Sequence, residues 1–268
     1  MAHYAHYVKR IIAVPDYQDP NDPYYAEHQV EDDGFLRPKF HAHPGHAGLA
    51  KAVRPGDCIW LFSQLSGPWG KLPPSLDAQI HVSKVRTTEH GLHFYASKQS
   101  QWFPLFDATD FLSESSILEA REKNVACLNE EHTHIGQSLR FLRRIGQPNL
   151  LEAFAKNVLQ SSLSFISYRL IDGTEAAFHI VRSELSIGRA VFWDRWSLPR
   201  RLAERREFVA SRALDRRVFN AIDSAERVIG VCTPLYAREG SYSHSEWSRA
   251  LRQRKFVARS ASPVDYML

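Results

Sequence analysis

The 268-residue chain has no stretch of eighteen or more apolar residues, so no membrane-spanning helix is expected. The opening decapeptide, MAHYAHYVKR, has none of the apolar core that a signal peptide carries. Cysteine is scarce. Cys58, Cys127 and Cys232 are far apart, odd in number and in no C-x-x-C, which argues against a disulfide framework and for reduced, structural thiols in a cytoplasmic protein. Cys58 and Cys232 lie in the apolar runs DCIWLF and VIGVCTP, where a free thiol behaves as a small hydrophobe. There is no Walker loop, G-x-S-x-G or G-x-G-x-x-G, which leaves kinase, lipase and hydride-transfer readings without a motif.

What is present is globular in composition, at 44% hydrophobic and 24% charged residues. The formal net charge of +4 is unevenly spread: residues 151–268 hold 19 Lys and Arg against 13 Asp and Glu, and the first 150 hold 15 against 17. Seventeen of the 19 C-terminal bases are Arg, whereas eleven of the 13 histidines precede residue 151. The asymmetry predicts two domains. Arg suits bidentate recognition of phosphate, but many of these Arg alternate with Glu, as in RRLAERRE, and read as a solvated helix face.

The first part is expected to be β-rich. VKRIIAVP, DCIWLFSQL, AQIHVSKV and LHFYAS are short β-branched or aromatic runs. Turn signals separate them at Pro55-Gly56, Gly67-Pro68, Pro73-Pro74 and His90-Gly91. A small barrel or a strongly bent sheet would follow. From residue 127 the period changes: Ile135, Leu139 and Leu142 fall at helical spacing with Gly146 as a stop, and Pro148 and Asn149 open a second helix. Beyond residue 160 strands and helices alternate. LSFISYR, RAVFWD and RVIGVCTP read as strands, and TEAAFHIVRSEL, LDRRVFNAIDSAE and SEWSRALRQR as helices. Ala177, Val181 and Leu185 share one helical face, with Gly188 just past its end, and Val218 and Ile222 share another. Such alternation predicts a parallel sheet with helices on its faces. The expected organisation is a β-rich domain at 1–127, a helical connector at 128–160 and an α/β domain at 161–268.

Four stretches in the last domain carry a resemblance. FISYR, GRAVFWDRWSLP, NAIDSAERVIGVCTPLY and SYSHSEW match, in order and in spacing, the strands, loops and helix start of the Toll/interleukin-1 receptor (TIR) domain family, across residues 164–251. The expected fold is therefore α/β: a C-terminal flavodoxin-like parallel sheet of TIR type, preceded by a smaller β-rich α+β domain. In that smaller domain RPGDCIWLF loosely resembles the recurring strand of PUA-like barrels, which often bind a nucleotide or modified base. Two features depart from the TIR pattern. The stretch RRLAERREFVASRALD is longer than the usual loop, and the chain stops soon after KFVARSAS, so the last strand and helix are expected to be short or absent.

In the bacterial NAD-cleaving members of the family, the position of SYSHSEW carries the catalytic glutamate, which here is Glu246, a few residues after an aromatic residue, here Tyr242. Taken alone, Glu246 reads as an acidic first-turn residue; the register of the other motifs gives it the catalytic role, with the helix N-terminus expected to keep it ionised. The resemblance implies a NAD+ nucleosidase that cleaves the nicotinamide–ribose bond. Its products would be nicotinamide and ADP-ribose, or a cyclic or conjugated ADP-ribose signal, in bacterial anti-phage immunity. It also implies self-association through TIR domains, with NAD+ as substrate rather than cofactor and a phage-derived or nucleotide trigger on the N-terminal domain. Ligands of parallel sheets sit at the carboxyl ends of the strands, which here are Tyr168 and Arg169, Asp194 to Trp196, and Thr233 to Tyr236. Trp193, Trp196, Tyr168 and Tyr236 offer aromatic faces for nicotinamide or adenine; strand alternation puts Trp193 and Phe192 on opposite faces, so at least one of them packs in the core. Arg169 is either a diphosphate contact or a surface residue, and Ser167 reads as a small structural residue.

His41, His43 and His46, with His132 and His134 downstream, have spacings at which imidazoles can ligate a metal. No cysteine accompanies them and His-Pro-Gly is an ordinary turn, so no structural metal is expected. Two other classes stay open: a non-enzymatic TIR scaffold that recruits partners, and a nucleotide- or nucleic-acid-binding module. The acidic balance of residues 1–150 argues against unspecific DNA binding there.

Overall fold

The structure, a computed structural model, describes residues 1–12, 37–43, 48–89, 91–169, 172–197, 212–236 and 241–260. Its N-terminal half is built on one bent sheet. Strand β1 (His3–Ile11) runs parallel to β3 (Cys58–Gly67), with β2 (Phe40–His43) between them in sequence. A hairpin then returns as β4 (Gly70–Thr88), nineteen residues long. One part of β4 pairs with β3 and its end with β5 (Gly91–Ala96), and the short β6 (Gln101–Trp102) pairs with β4 as well. Register shifts at Leu61/Phe62, Gln64/Ser66 and Val82/Lys84 are the bulges that let one strand serve both neighbours. Pro73 and Pro74 therefore lie inside β4 and do not form the expected turn. Pro74 faces Gln64 beside a bulge, a place where a missing N–H costs little.

The run Cys58–Phe62 explains why β3 is central. Cys58, Trp60 and Phe62 point into one apolar cluster, Ile59 and Leu61 into another on the opposite face. The first cluster is covered by helix α1 (Thr109–Glu114), by the one-turn α2 (Ile135–Ser138), and by α3 (Pro148–Gln160), which presents Leu151, Ala155 and Val158. A small hairpin, β7 (Leu118–Ala120) with β8 (Lys123–Val125), lies between α1 and α2 in the chain. The long helix expected from Ile135, Leu139 and Leu142 does not form. The open edge of β1 captures Arg143–Arg144 as an antiparallel strand, β9, so the chain extends after a single helical turn.

The C-terminal half is a four-stranded parallel sheet of β10 (Leu163–Ser167), β11 (Ala190–Phe192), β12 (Arg227–Cys232) and β13 (Phe256–Ser260), in the spatial order β11-β10-β12-β13. Helix α4 (Thr174–Ser186) follows β10 and buries Ala177, Val181 and Leu185, the face its periodicity predicts; Gly188, at φ 75°, ends it. The turn α5 (Asp194–Ser197) follows β11, α6 (Arg212–Ser224) leads into β12, and α7 (Tyr242–Arg252) leads into β13. The last strand, expected to be short or absent, is present and pairs with β12 over five residues, whereas the place of the last helix lies outside the described residues. Phe256 packs against the core, and backbone pairing carries the strand on past the exposed Ala258 and Arg259.

Helices α6 and α7 cover one face of this sheet through Phe165, Phe192, Val218, Ile222, Val228 and Ala250. On the other face α4 packs with Ile166, Val191, Trp193, Ile229 and Val231, and the same cluster takes in Ile12, Leu65, Leu72 and Leu105 from the N-terminal half. Leu105 also pairs with Val191 through two backbone hydrogen bonds, of 3.0 and 2.8 Å. Of the three thiols, Cys58 and Cys127 are buried, with pKa values pushed up to about 12 by burial, whereas Cys232 is exposed and so is not the core residue its apolar run suggests. Among the described residues, no helix is long and apolar enough to cross a membrane.

Candidate functional site

Helix α7 begins where a serine can cap it. Ser241 is extended, and its hydroxyl accepts a hydrogen bond from the His244 backbone N–H at 3.2 Å. This start puts Glu246 in the second turn, not the first. From there it points inward and is only 8% exposed. Its Oε2 accepts a 2.5 Å hydrogen bond from Ser167 Oγ, at the carboxyl end of β10; that Oγ in turn accepts one of 2.8 Å from the Tyr236 hydroxyl. Tyr236 reaches Ser167 because Gly230 lies beneath it: a Cβ on Gly230 would stand 2.7 Å from the tyrosine oxygen and 2.4 Å from Phe256.

Glu246 forms part of the wall of a cavity of about 280 Å³. β10 contributes Phe165 and Ile166, and the residues just past its end contribute Tyr168 and Arg169; β11 and α5 contribute Phe192 and Asp194; α6 contributes Val218; and the start of α7 contributes Ser241, Tyr242 and Ser243. The cavity thus opens at the carboxyl ends of the parallel strands, where β10 has β11 on one side and β12 on the other and the chain order reverses. Its size is at the lower edge of what a small-molecule site holds.

The electrostatics of this cavity differ from expectation. Burial pushes the Glu246 carboxyl up to about 8; the Ser167 hydrogen bond acts in the opposite direction and the nearby Asp194 carboxylate adds to the rise. These surroundings favour the protonated form of Glu246 at neutral pH, not the ionised one. A helix dipole acts mainly within the first turn, and Glu246 lies beyond it. Tyr168 is held by its hydroxyl: it donates to Asp194 Oδ1 at 2.7 Å and accepts from Arg195 Nε at 2.7 Å, and burial raises its pKa. The Tyr242 ring stacks on Phe219 and its hydroxyl donates to Asp215 Oδ1 at 3.1 Å; burial raises its pKa too. Arg169 donates to the Leu235 carbonyl at 2.8 Å.

Of the residues singled out in the sequence, Glu246, Tyr168, Arg169, Asp194 and Tyr242 meet in this cavity. Trp196 and Tyr236 do not line it. Trp196 is 3% exposed on the far side of α5, its indole N–H donating to the Phe103 carbonyl, and Tyr236 is buried behind Ser167. Trp193 is in the core, as one of the pair Phe192 and Trp193 has to be. Ser167, read as structural, is the side chain in direct contact with Glu246. Ser243, unmarked in the sequence, braces the start of α7 by donating to the Tyr236 carbonyl. Position at a strand end was the signal available for Ser167; for Ser243 there was none.

The histidines of the N-terminal half assemble differently from their sequence spacing. His41 Nε2 lies 3.0 Å from His6 Nδ1, and the His43 ring is 4.9 Å from that of His6. His134 caps α2 by accepting from the Gly136 N–H at 3.0 Å. His46 lies outside the described residues, and among those described no group of three or more potential ligands is placed to hold a metal. No protein-family model, no curated protein and no solved structure matches the chain.

Proposed function

We propose that the cavity is the active site of a TIR-type NAD+ nucleosidase and that Glu246 is its catalytic carboxylate. The observation that carries this reading is a buried carboxyl, fixed by Ser167, in a cavity at the carboxyl ends of parallel strands whose order, second-first-third-fourth, follows the flavodoxin-like pattern. A strongly perturbed acid in a cleft is a functional signature, and here its cause also suggests the ligand. A cationic ring brought against Glu246 would favour its ionisation and offset the neighbouring Asp194 carboxylate, which opposes it. The nicotinamide of NAD+ carries that charge.

When the N-glycosidic bond breaks, its electron pair goes to the nicotinamide nitrogen, nicotinamide leaves neutral and the ribose acquires oxocarbenium character. This is the electronic problem of glycoside hydrolysis. No proton has to reach the leaving group, so one carboxylate suffices. Ionised Glu246 stabilises the cation, and water adding at the ribose carbon gives ADP-ribose and releases a proton to solvent. A nucleophile from the adenine ring would give a cyclic product instead. Tyr168 and Tyr242 flank the ring, and Arg169, half-exposed at the rim, meets the diphosphate. A cavity this small accommodates the nicotinamide riboside end. The remainder lies outside it, which fits completion of the site by a second copy of the chain.

Incubation of purified protein with NAD+, with mass-spectrometric analysis of products, tests the reading. Release of nicotinamide with linear or cyclic ADP-ribose is expected. Binding of NAD+ at the cavity without any product, in every assembly state, would favour a scaffold or ligand-binding module instead.

A further inference from the structure

The cavity wall formed by α5 is held from outside its own domain. Arg10, near the end of β1, is buried against α5. Its Nη2 donates to the Trp196 carbonyl at 2.8 Å and its guanidinium lies 4.5 Å from the centre of the Trp196 ring. Its Nη1 donates to Asp77 Oδ1 on β4 at 3.1 Å, and Asp77 Oδ2 accepts from Ser63 on β3 at 2.8 Å. A second strut comes from the residue after β6: the Phe103 carbonyl accepts from the Trp196 indole at 2.9 Å, while the Phe103 N–H donates to the Asp77 carbonyl at 2.9 Å. Two residues further on, Leu105 pairs with Val191 of β11. Residues 191–196 are thus pinned on one side by the N-terminal sheet, and on the other side they present Phe192 and Asp194 to the cavity.

We propose that Arg10 is a positioning residue through which the N-terminal sheet sets the cavity wall, so that a change in that sheet alters the site. The inference deepens the nucleosidase reading, since the wall concerned is that of the proposed NAD+ cleft. Its physical basis is the choice of residue. A buried ion pair adds little stability that well-packed apolar residues would not supply, but it fixes orientation. A guanidinium can bond a carboxylate and a carbonyl at once while its flat face lies on an indole; a lysine ammonium, a point charge, cannot hold all three. Asp194 is two residues from the pinned carbonyl and takes the Tyr168 hydroxyl, so a displaced turn moves both cavity side chains together.

The test is hydrogen exchange, resolved by segment, on the full chain carrying Arg10→Lys, which keeps the charge beside Asp77. Amides of residues 192–197 should exchange at least about tenfold faster than in the wild type, with those of β3 and β4 unchanged. If turnover is measurable, KM for NAD+ should rise several-fold more than kcat falls. Exchange in 192–197 that stays at the wild-type rate, or that accelerates equally in β3 and β4, would overturn the proposal, the second outcome marking Arg10 as a general stabiliser. Should Arg10→Lys fail to fold, the paired variant Arg10→Met with Asp77→Leu removes both charges without orphaning either and must show the same local acceleration. Exchange needs no substrate, so a protein without NAD+ turnover would leave this result standing.

Discussion

At the scale of single residues, Glu246 governs both the chemistry and a measurable cost. Its carboxyl titrates at about 8 in the folded protein against 4.5 as an ordinary glutamate. Between those values the folded chain holds a proton that the unfolded chain has lost, so stability falls as pH rises from 4.5 and levels off above about 8. Glu246→Gln keeps an acceptor for Ser167 and carries no charge to desolvate. It should be more stable than the wild type at pH 9, by on the order of a few kcal/mol, with the gain vanishing near pH 5. Thermal melts of both proteins at the two pH values check this; a gain of equal size at both would remove ionisation as its cause. Ser167→Ala is expected to act in the other direction on chemistry. The lost hydrogen bond favours the ionised form, so the acid limb of the pH–activity profile should move to higher pH in Ser167→Ala, with NAD+ turnover against pH as the readout.

At the scale of elements, the start of α7 decides where Glu246 points. Ser241→Ala removes the cap and should cost about 1 kcal/mol, read as a lower melting temperature, with turnover falling further because Glu246 is displaced. The sequence made this helix legible but not its first residue. Ser241, Ser243 and Ser245 are all competent caps, and only packing selects Ser241, which moves Glu246 one turn inward from its expected place. Helix α4 was legible throughout, because Ala177, Val181 and Leu185 repeat at helical spacing and Gly188 stops them. The segment after Ile135 was not, since its apolar spacing is equally satisfied by one helical turn and an edge strand, and the free edge of β1 settles the choice from more than a hundred residues away. β13 was only partly legible for a related reason: its apolar run is the three residues Phe256 to Ala258, and backbone pairing with β12 carries it on to Ser260. In the cavity, the residues found in advance were those at strand ends and in SYSHSEW. Trp196 was assigned there because it too follows a strand, and nothing local reveals that Arg10 and Phe103 draw it to the opposite side.

At the scale of the whole molecule, the two halves share an apolar cluster. Ile12, Leu65, Leu72 and Leu105 pack with Val181, Val191, Trp193 and Trp196. The alternation of strands and helices marked a boundary near residue 160, but a shared core across it is a tertiary fact with no local signature. Residues 161–268 produced alone should expose that cluster, bind a hydrophobic dye and melt less cooperatively than the full chain; a segment that melts as sharply as the whole and binds no dye would show the interface to be dispensable. For the site itself, the decisive comparison is NAD+ turnover by the wild type and by Glu246→Gln under identical conditions. Nicotinamide release is expected from the wild type, reduced on the order of a hundredfold or more in Glu246→Gln, with the variant still folded. Near-wild-type release from Glu246→Gln would contradict the catalytic assignment, and no release from the wild type in any assembly state would contradict the enzyme reading altogether.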